Sequence, residues 1–268
     1  MKGLIKKDKI VDIREIPYPK EKKGYSIIKV KYMGICKTDI DVIKDDFPID
    51  NIVVGHEVSG NIVQSEIFNI DEYVGINPYT KDGMHGLTES GYFSEYISVK
   101  NEFIFPIGHH LLATYLEPVA ASLLNIENET SVAVYGKGRI PNIIYNILKR
   151  TNPNVELIYK DTPFKEYNLV VQAETGSLNE IMKRTASNGT IILRSRTPLH
   201  EVFDTLSFIK KGLHIEASYY TNFNNAVKFI NENEDFLMNY MGKIYKITKW
   251  KDAIIDSASS PVKIFMEF

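Results

Sequence analysis

A single cysteine, Cys36, in 268 residues leaves no partner for a disulfide within the chain, and a reducing compartment is the expected setting. No run approaches the ~18 consecutive apolar residues that a membrane-spanning helix needs. The N-terminal stretch Met-Lys-Gly-Leu-Ile-Lys-Lys-Asp-Lys-Ile is broken too often by charge to hold a signal peptide's apolar core. An excess of either charge is also missing, since 32 Lys plus Arg face 34 Asp plus Glu. With no net field to draw it to nucleic acid or an anionic membrane, the chain is expected to be cytoplasmic, without nucleic-acid or membrane partners. What is present is the ordinary balance of a globular protein, 44% hydrophobic and 25% charged, with length for one large domain or two modest ones.

The first hundred residues read as short β-rich runs punctuated by glycine and proline, as in Ser26–Tyr32, Gly60–Val63 and the alternating Tyr92–Val99. That pattern fits an irregular barrel or sandwich. The character changes near residue 109. A helix is predicted over His110–Asn128, then the apolar strand Ser131–Tyr135, a turn with Gly136 and Gly138, and a helix over Pro141–Arg150. Strands at Val155–Tyr159, Leu169–Val171 and Gly189–Leu193 follow, with a helix around Leu178–Thr185 between the last two. Alternation of strand and helix argues for a parallel sheet with crossover helices. Beyond residue 220 the pattern is helical to Ile230 and ends in the strand-like Val262–Phe268.

Three side chains carry metal-ligand chemistry. Cys36 precedes the adjacent pair His56-Glu57 by 20 residues, and thiolate, imidazole and carboxylate are all ligands that zinc accepts. Alone, a single cysteine is more often a small buried hydrophobe. The surroundings are more specific. Gly34-Ile35-Cys36-Lys37-Thr38-Asp39, Gly55-His56-Glu57-Val58-Ser59-Gly60, Gly91-Tyr92-Phe93-Ser94-Glu95-Tyr96 and Leu116-Glu117-Pro118 occur in that order. In these motifs the chain resembles the zinc-dependent medium-chain dehydrogenase/reductase family, of which the alcohol dehydrogenases are members. Glu117-Pro118 is similar to the sorbitol and glucose dehydrogenase branch.

The resemblance implies a GroES-like β-barrel catalytic domain, residues 1–118 and 220–268, and a shortened Rossmann-type parallel-sheet domain, residues 119–219. It implies one catalytic zinc on Cys36, His56 and Glu57, with Glu117 as fourth ligand or as an acid bonded to a zinc-bound water. Asp39 matches the acid that orients the ligand histidine. Asn77–Ser90 holds no cysteine, so the structural zinc of many relatives is expected to be absent. The implied activity is a zinc-dependent oxidoreductase that passes a hydride between an alcohol, in this branch a sugar or polyol, and NAD or NADP. Thr38 matches the hydroxyl that takes the substrate proton. Asp41 stands where some relatives continue that relay through histidine, which leaves the proton's exit route open. Family habit implies a homo-dimer or homo-tetramer.

Gly136-Lys137-Gly138-Arg139-Ile140-Pro141 follows a strand and opens a helix, the context in which two glycines serve a dinucleotide pyrophosphate. The third glycine position holds Pro141, which a first helical turn tolerates. Cofactor contacts are expected from Gly136, Gly138, Arg139 and Thr175, and from Lys37 and Lys263, which match phosphate-reaching family positions. Asp161 would favour NAD through a ribose hydroxyl, and Lys160 the extra phosphate of NADP. Both stay open. Asp161 stands eight residues before Leu169, so about one strand–helix repeat of the family sheet is missing. An alternative reading follows from that loss: a zinc-binding protein whose degenerate cofactor domain gives little or no turnover. A zinc-free reductase of the same superfamily is opposed by the Cys36, His56, Glu57 and Glu117 set.

Overall fold

The computed structural model describes residues 1–47, 49–124, 126, 131–195, 202–218 and 222–268. Contacts divide the chain into two units, Met1–Val119 with Asn222–Phe268, and Ala120–Thr221.

The first unit begins with the hairpin β1 (Lys2–Lys7) and β2 (Ile10–Glu15), then the long strand β3 (Tyr25–Gly34) and helix α1 (Lys37–Ile43). Strands β4 (Ile52–Val53), β5 (Glu57–Gln64), β6 (Tyr73–Ile76), β7 (Tyr96–Lys100) and β8 (Ile104–Pro106) follow. β3 is the spine. It pairs antiparallel with β5 along most of its length and with β7 over Tyr25–Lys29, and register shifts bend it. Of the alternating run Tyr92–Val99, only the later part is a regular strand. Tyr92, Phe93 and Ser94 are all buried, because Phe93 hydrogen-bonds Val54 and Leu4 on both sides instead of joining a sheet edge.

The helix predicted over His110–Asn128 is broken into α2 (His110–Ala113) and α3 (Leu116–Ser122). Pro118 supplies the reason. It lacks an N–H and its ring would strike the carbonyl one turn earlier, so the helix restarts to hold proline in a first turn. Part of the predicted span, Asn125 and residues 127–128, lies outside the described residues.

The second unit is a parallel sheet of β9 (Val132–Tyr135), β10 (Val155–Ile158), β11 (Tyr167–Gln172), β12 (Thr185–Leu193) and β13 (His214–Ala217), in the order β10-β9-β11-β12-β13. Helices α4 (Arg139–Lys149), α5 (Leu178–Arg184) and α6 (Thr205–Lys211) accompany it. Alternate residues of β9 face opposite cores. Val132 and Val134 pack with Ile144 and Leu148 of α4, and Ala133 and Tyr135 pack with Ile181 and Met182 of α5. The α6–β13 pair was not expected from periodicity, although Asp204 caps its start and Gly212, at φ 61°, ends it.

The shortened sheet is evident between β10 and β11, which are joined by only residues 159–166 and no helix. Eight residues reach roughly 26 Å when extended. That suffices to return along a four-residue strand and step across β9. Arg184, almost fully buried, holds this bare crossover. Its guanidinium donates to the carbonyls of Thr162 at 2.7 Å, Pro163 at 3.0 Å and Lys160 at 3.4 Å, and to Glu180 at 3.1 Å.

The chain then returns to the first unit through α7 (Phe223–Glu232), α8 (Glu234–Met238), β14 (Met241–Lys246), α9 (Trp250–Ser259) and β15 (Lys263–Glu267). β15 lies antiparallel to the end of β3, with Phe265 opposite Gly34. No helix among the described residues is long and apolar enough to cross a membrane.

Candidate functional site

The end of β3 delivers Cys36 to the N-cap of α1, in extended backbone at φ −95° and ψ 158°. Asp39, in the first turn, accepts a hydrogen bond from the Cys36 backbone N–H at 2.9 Å. The helix start and the position of the thiol are thereby set together. The other oxygen of Asp39 lies 2.7 Å from Nδ1 of His56, and both side chains are buried. His56 comes from the tight turn that opens β5. Gly55 makes that turn possible: its φ is +88°, and a Cβ there would sit 2.0 Å from the Phe93 ring.

Cys36, His56 and Glu57 converge, each offering one ligand atom within 4.8 Å of the others. With Nδ1 on Asp39, the Nε2 atom of His56 is buried and has no hydrogen-bond partner among the described residues. Burial works against charge on this ring, yet Asp39 and the neighbouring Cys36 hold its pKa well above the ordinary histidine range. An orphaned imidazole nitrogen beside a thiol and a carboxylate fits a zinc ion. The Cys36 sulfur lies 3.9 Å from the Thr38 hydroxyl.

Glu117 is not brought into this trio. It is buried on α3, where its carboxylate accepts from the Tyr79 hydroxyl at 3.3 Å. Lys263 was expected among the phosphate contacts. The structure instead buries it and pairs its ammonium with Glu57, beneath the face of Tyr115. Lys37 projects outward and pairs with Asp41 at 2.9 Å.

In the second unit, Gly136, Gly138 and Arg139 stand at the β9–α4 turn as expected. Asp161 comes to the same edge, 3.8 Å from the Lys137 ammonium, which also lies over the Tyr159 ring. Lys160 follows β10, and its carbonyl accepts from Arg184. Thr175 is exposed just beyond β11. Sequence reasoning passed over its neighbour Glu174. That side chain accepts from the backbone N–H groups of Lys137 at 2.5 Å and Gly138 at 2.9 Å. The readable signal was a carboxylate two residues beyond a buried strand. The turn as folded therefore does not offer these amides to a pyrophosphate.

Residues 22–109 match the family model of the alcohol dehydrogenase GroES-like domain. That match assigns a GroES-like domain of the alcohol dehydrogenase type to these residues. The chain is 27% identical over 180 residues to (R,R)-butanediol dehydrogenase of Bacillus subtilis, covering 53% of this chain and 52% of that protein. The chain spans about half the length of the curated relatives it matches. The crystal structure of that butanediol dehydrogenase superposes with a TM-score of 0.86 at 18% identity, over 100% of this chain and 99% of the other. Haloferax mediterranei glucose dehydrogenase, solved with NADP, Zn and gluconolactone, superposes at 0.80 and 18% identity, with 100% and 99% covered. These likenesses establish the fold, a GroES-like barrel followed by a shortened Rossmann-type sheet.

Proposed function

We propose that the protein is a zinc-dependent oxidoreductase acting on a small alcohol of the polyol or sugar class, with NAD or NADP as hydride acceptor. The observation that carries this reading is the buried, unpartnered Nε2 of His56 facing Cys36 and Glu57. The names of the relatives, butanediol and glucose dehydrogenases among them, support the substrate class.

Cys36, His56 and Glu57 hold the metal, a single ion. When bound, zinc supplies Lewis-acid polarisation of an alcohol oxygen. The remaining work belongs to the chain. Asp39, whose Oδ1 lies 2.7 Å from Nδ1 of His56, holds the ring with Nε2 toward the other two ligands. Lys263 balances the charge of Glu57 in a region closed to water, where an unpaired carboxylate would be costly. Thr38 takes the proton that the alcohol gives up. Glu117, buried beside Tyr79, supplies a further carboxylate to the first unit's interior.

For the dinucleotide, Gly136 and Gly138 form the turn and Asp161 or Lys160 reads the ribose. Glu174 accepts from the amides of this turn. The test is a fluorescence titration of zinc-loaded protein with NADH and with NADPH, followed by a screen of diols, polyols and sugars. Saturable binding and zinc-dependent turnover are expected. Zinc uptake without binding of either nucleotide would replace this reading with that of a zinc-binding protein that does not turn over.

A further inference from the structure

The strand order places a topological switch between β9 and β11. From β9 the chain moves outward to β10, and from β11 it moves the opposite way to β12 and β13. Ligands of such sheets bind outside the carboxyl ends of the strands at this point. β9 ends there in Gly136-Lys137-Gly138. Gln172 of β11 lies in register with Tyr135, and the Ala173 N–H donates to the Tyr135 carbonyl at 3.2 Å. The next residue, Glu174, therefore leaves the sheet directly beside the glycine turn.

Its carboxylate does what a phosphate oxygen would do. A single oxygen, Oε2, accepts from two successive backbone N–H groups, ahead of the N-terminus of the eleven-residue helix α4. The fit is close. A Cβ on Gly136, where φ is +141°, would sit 2.6 Å from the Glu174 Cβ and 2.5 Å from the Pro141 ring. Pro141 also deletes one N–H from the first turn of α4, which leaves fewer donors for a second anion.

We propose that Glu174 is an intrachain anion seated in the phosphate cradle. On the dehydrogenase reading above, a dinucleotide pyrophosphate binds only after this carboxylate swings out, and Glu174 sets the nucleotide affinity. Glu174 is half-buried and its neighbours Thr175 and Ser177 are exposed, so the side chain has solvent to move into. In the wild type an incoming phosphate must break two charge-assisted hydrogen bonds and then lie beside a displaced carboxylate. Removing that carboxylate strengthens anion binding by roughly tenfold to a hundredfold, the usual worth of hydrogen bonds to a charged group.

The test uses the full chain as wild type, Glu174→Ala and Glu174→Gln. Inorganic pyrophosphate binding is read by calorimetry, NADH and NADPH binding by fluorescence, and the Lys137 and Gly138 amides by NMR. Glu174→Ala is expected to bind pyrophosphate more tightly by that factor, with Glu174→Gln between it and wild type, and both amide resonances should move on substitution. Glu174→Gln keeps the side chain's size and an acceptor, so it reports even if the alanine variant folds poorly. Equal pyrophosphate affinity in all three proteins would overturn the proposal, as would unmoved amides. If wild type binds NADH as tightly as both variants do, the seated carboxylate is no barrier and the cofactor reading survives without it. A gain for pyrophosphate with no NADH or NADPH binding in any protein would support the role of Glu174 and remove the cofactor reading instead.

Discussion

Asp39 Oδ1 lies 2.7 Å from His56 Nδ1 while Asp39 Oδ2 accepts from the Cys36 N–H at 2.9 Å, so one carboxylate positions two of the three candidate zinc ligands. Removing it frees both the helix cap and the imidazole. Outer partners of metal-bound histidines are typically worth about 10–100-fold in metal affinity. Asp39→Ala should weaken zinc binding by that order in a chelator competition. Unchanged affinity would mean that packing alone orients His56.

Cys36 and Thr38 should separate metal binding from turnover. Cys36→Ala is expected to lose zinc and activity together. Thr38→Val keeps the shape but not the hydroxyl, so zinc content by mass spectrometry should hold while turnover falls. Full activity in Thr38→Val would remove the proton-transfer role.

Gly55 is a structural requirement of the same site. With φ at +88° and the Phe93 ring 2.0 Å from an added Cβ, Gly55→Ala combines backbone strain with a clash in a closed core. A loss of about 3 kcal/mol or more is expected in urea unfolding. A loss below about 1 kcal/mol would show that the His56 turn adapts.

Arg184 stands in for the missing strand–helix repeat by collecting the crossover carbonyls. In Arg184→Met the part-buried bonds from the guanidinium to the Thr162 and Pro163 carbonyls are lost, and a hydrogen bond from a charged group is worth about 1.5–3 kcal/mol. Urea unfolding should register a loss of about 2–4 kcal/mol. A change within about 0.5 kcal/mol, the ordinary range of surface substitutions, would mean that the crossover needs no clamp.

Asp45 gives the first unit a pH dependence. Hydrogen bonds from the buried Lys6 ammonium at 2.7 Å and from Lys9 hold its carboxyl below the usual range. A lowered native pKa contributes stability above the unfolded value, near 3.9, and that contribution is lost as pH falls through the native pKa. Asp45→Asn should therefore be less stable than wild type at pH 7, with the gap closing toward pH 3 in urea midpoints. A gap independent of pH would exclude the charge as its source.

Much of the fold was legible because its signals are local. The strand, glycine turn and helix from Val132 to Lys149 follow from an apolar run, two glycines and a 3.6-residue period. The break at Pro118 was legible too, but the apolar period of residues 111–123 masked it. α1 was missed because seven residues carry too little periodicity, and its cap depends on a cysteine instead of Ser, Thr or Asn. The α6 helix had both end signals and still fell below notice, since none of its described side chains is buried.

The sequence by itself determined the ligand chemistry of Cys36, His56 and Glu57, the local strand–turn–helix order, and a parallel sheet short by one repeat. Only the tertiary structure decided which charges meet. Lys263 reaches Glu57 across 206 residues of chain, and Glu174 enters the glycine turn from 36 residues away. Caps, turns and periodicity act within a few residues and can be read along the chain. Contacts between distant charges depend on strand order and on which faces pack together, and those are settled only when the whole core forms.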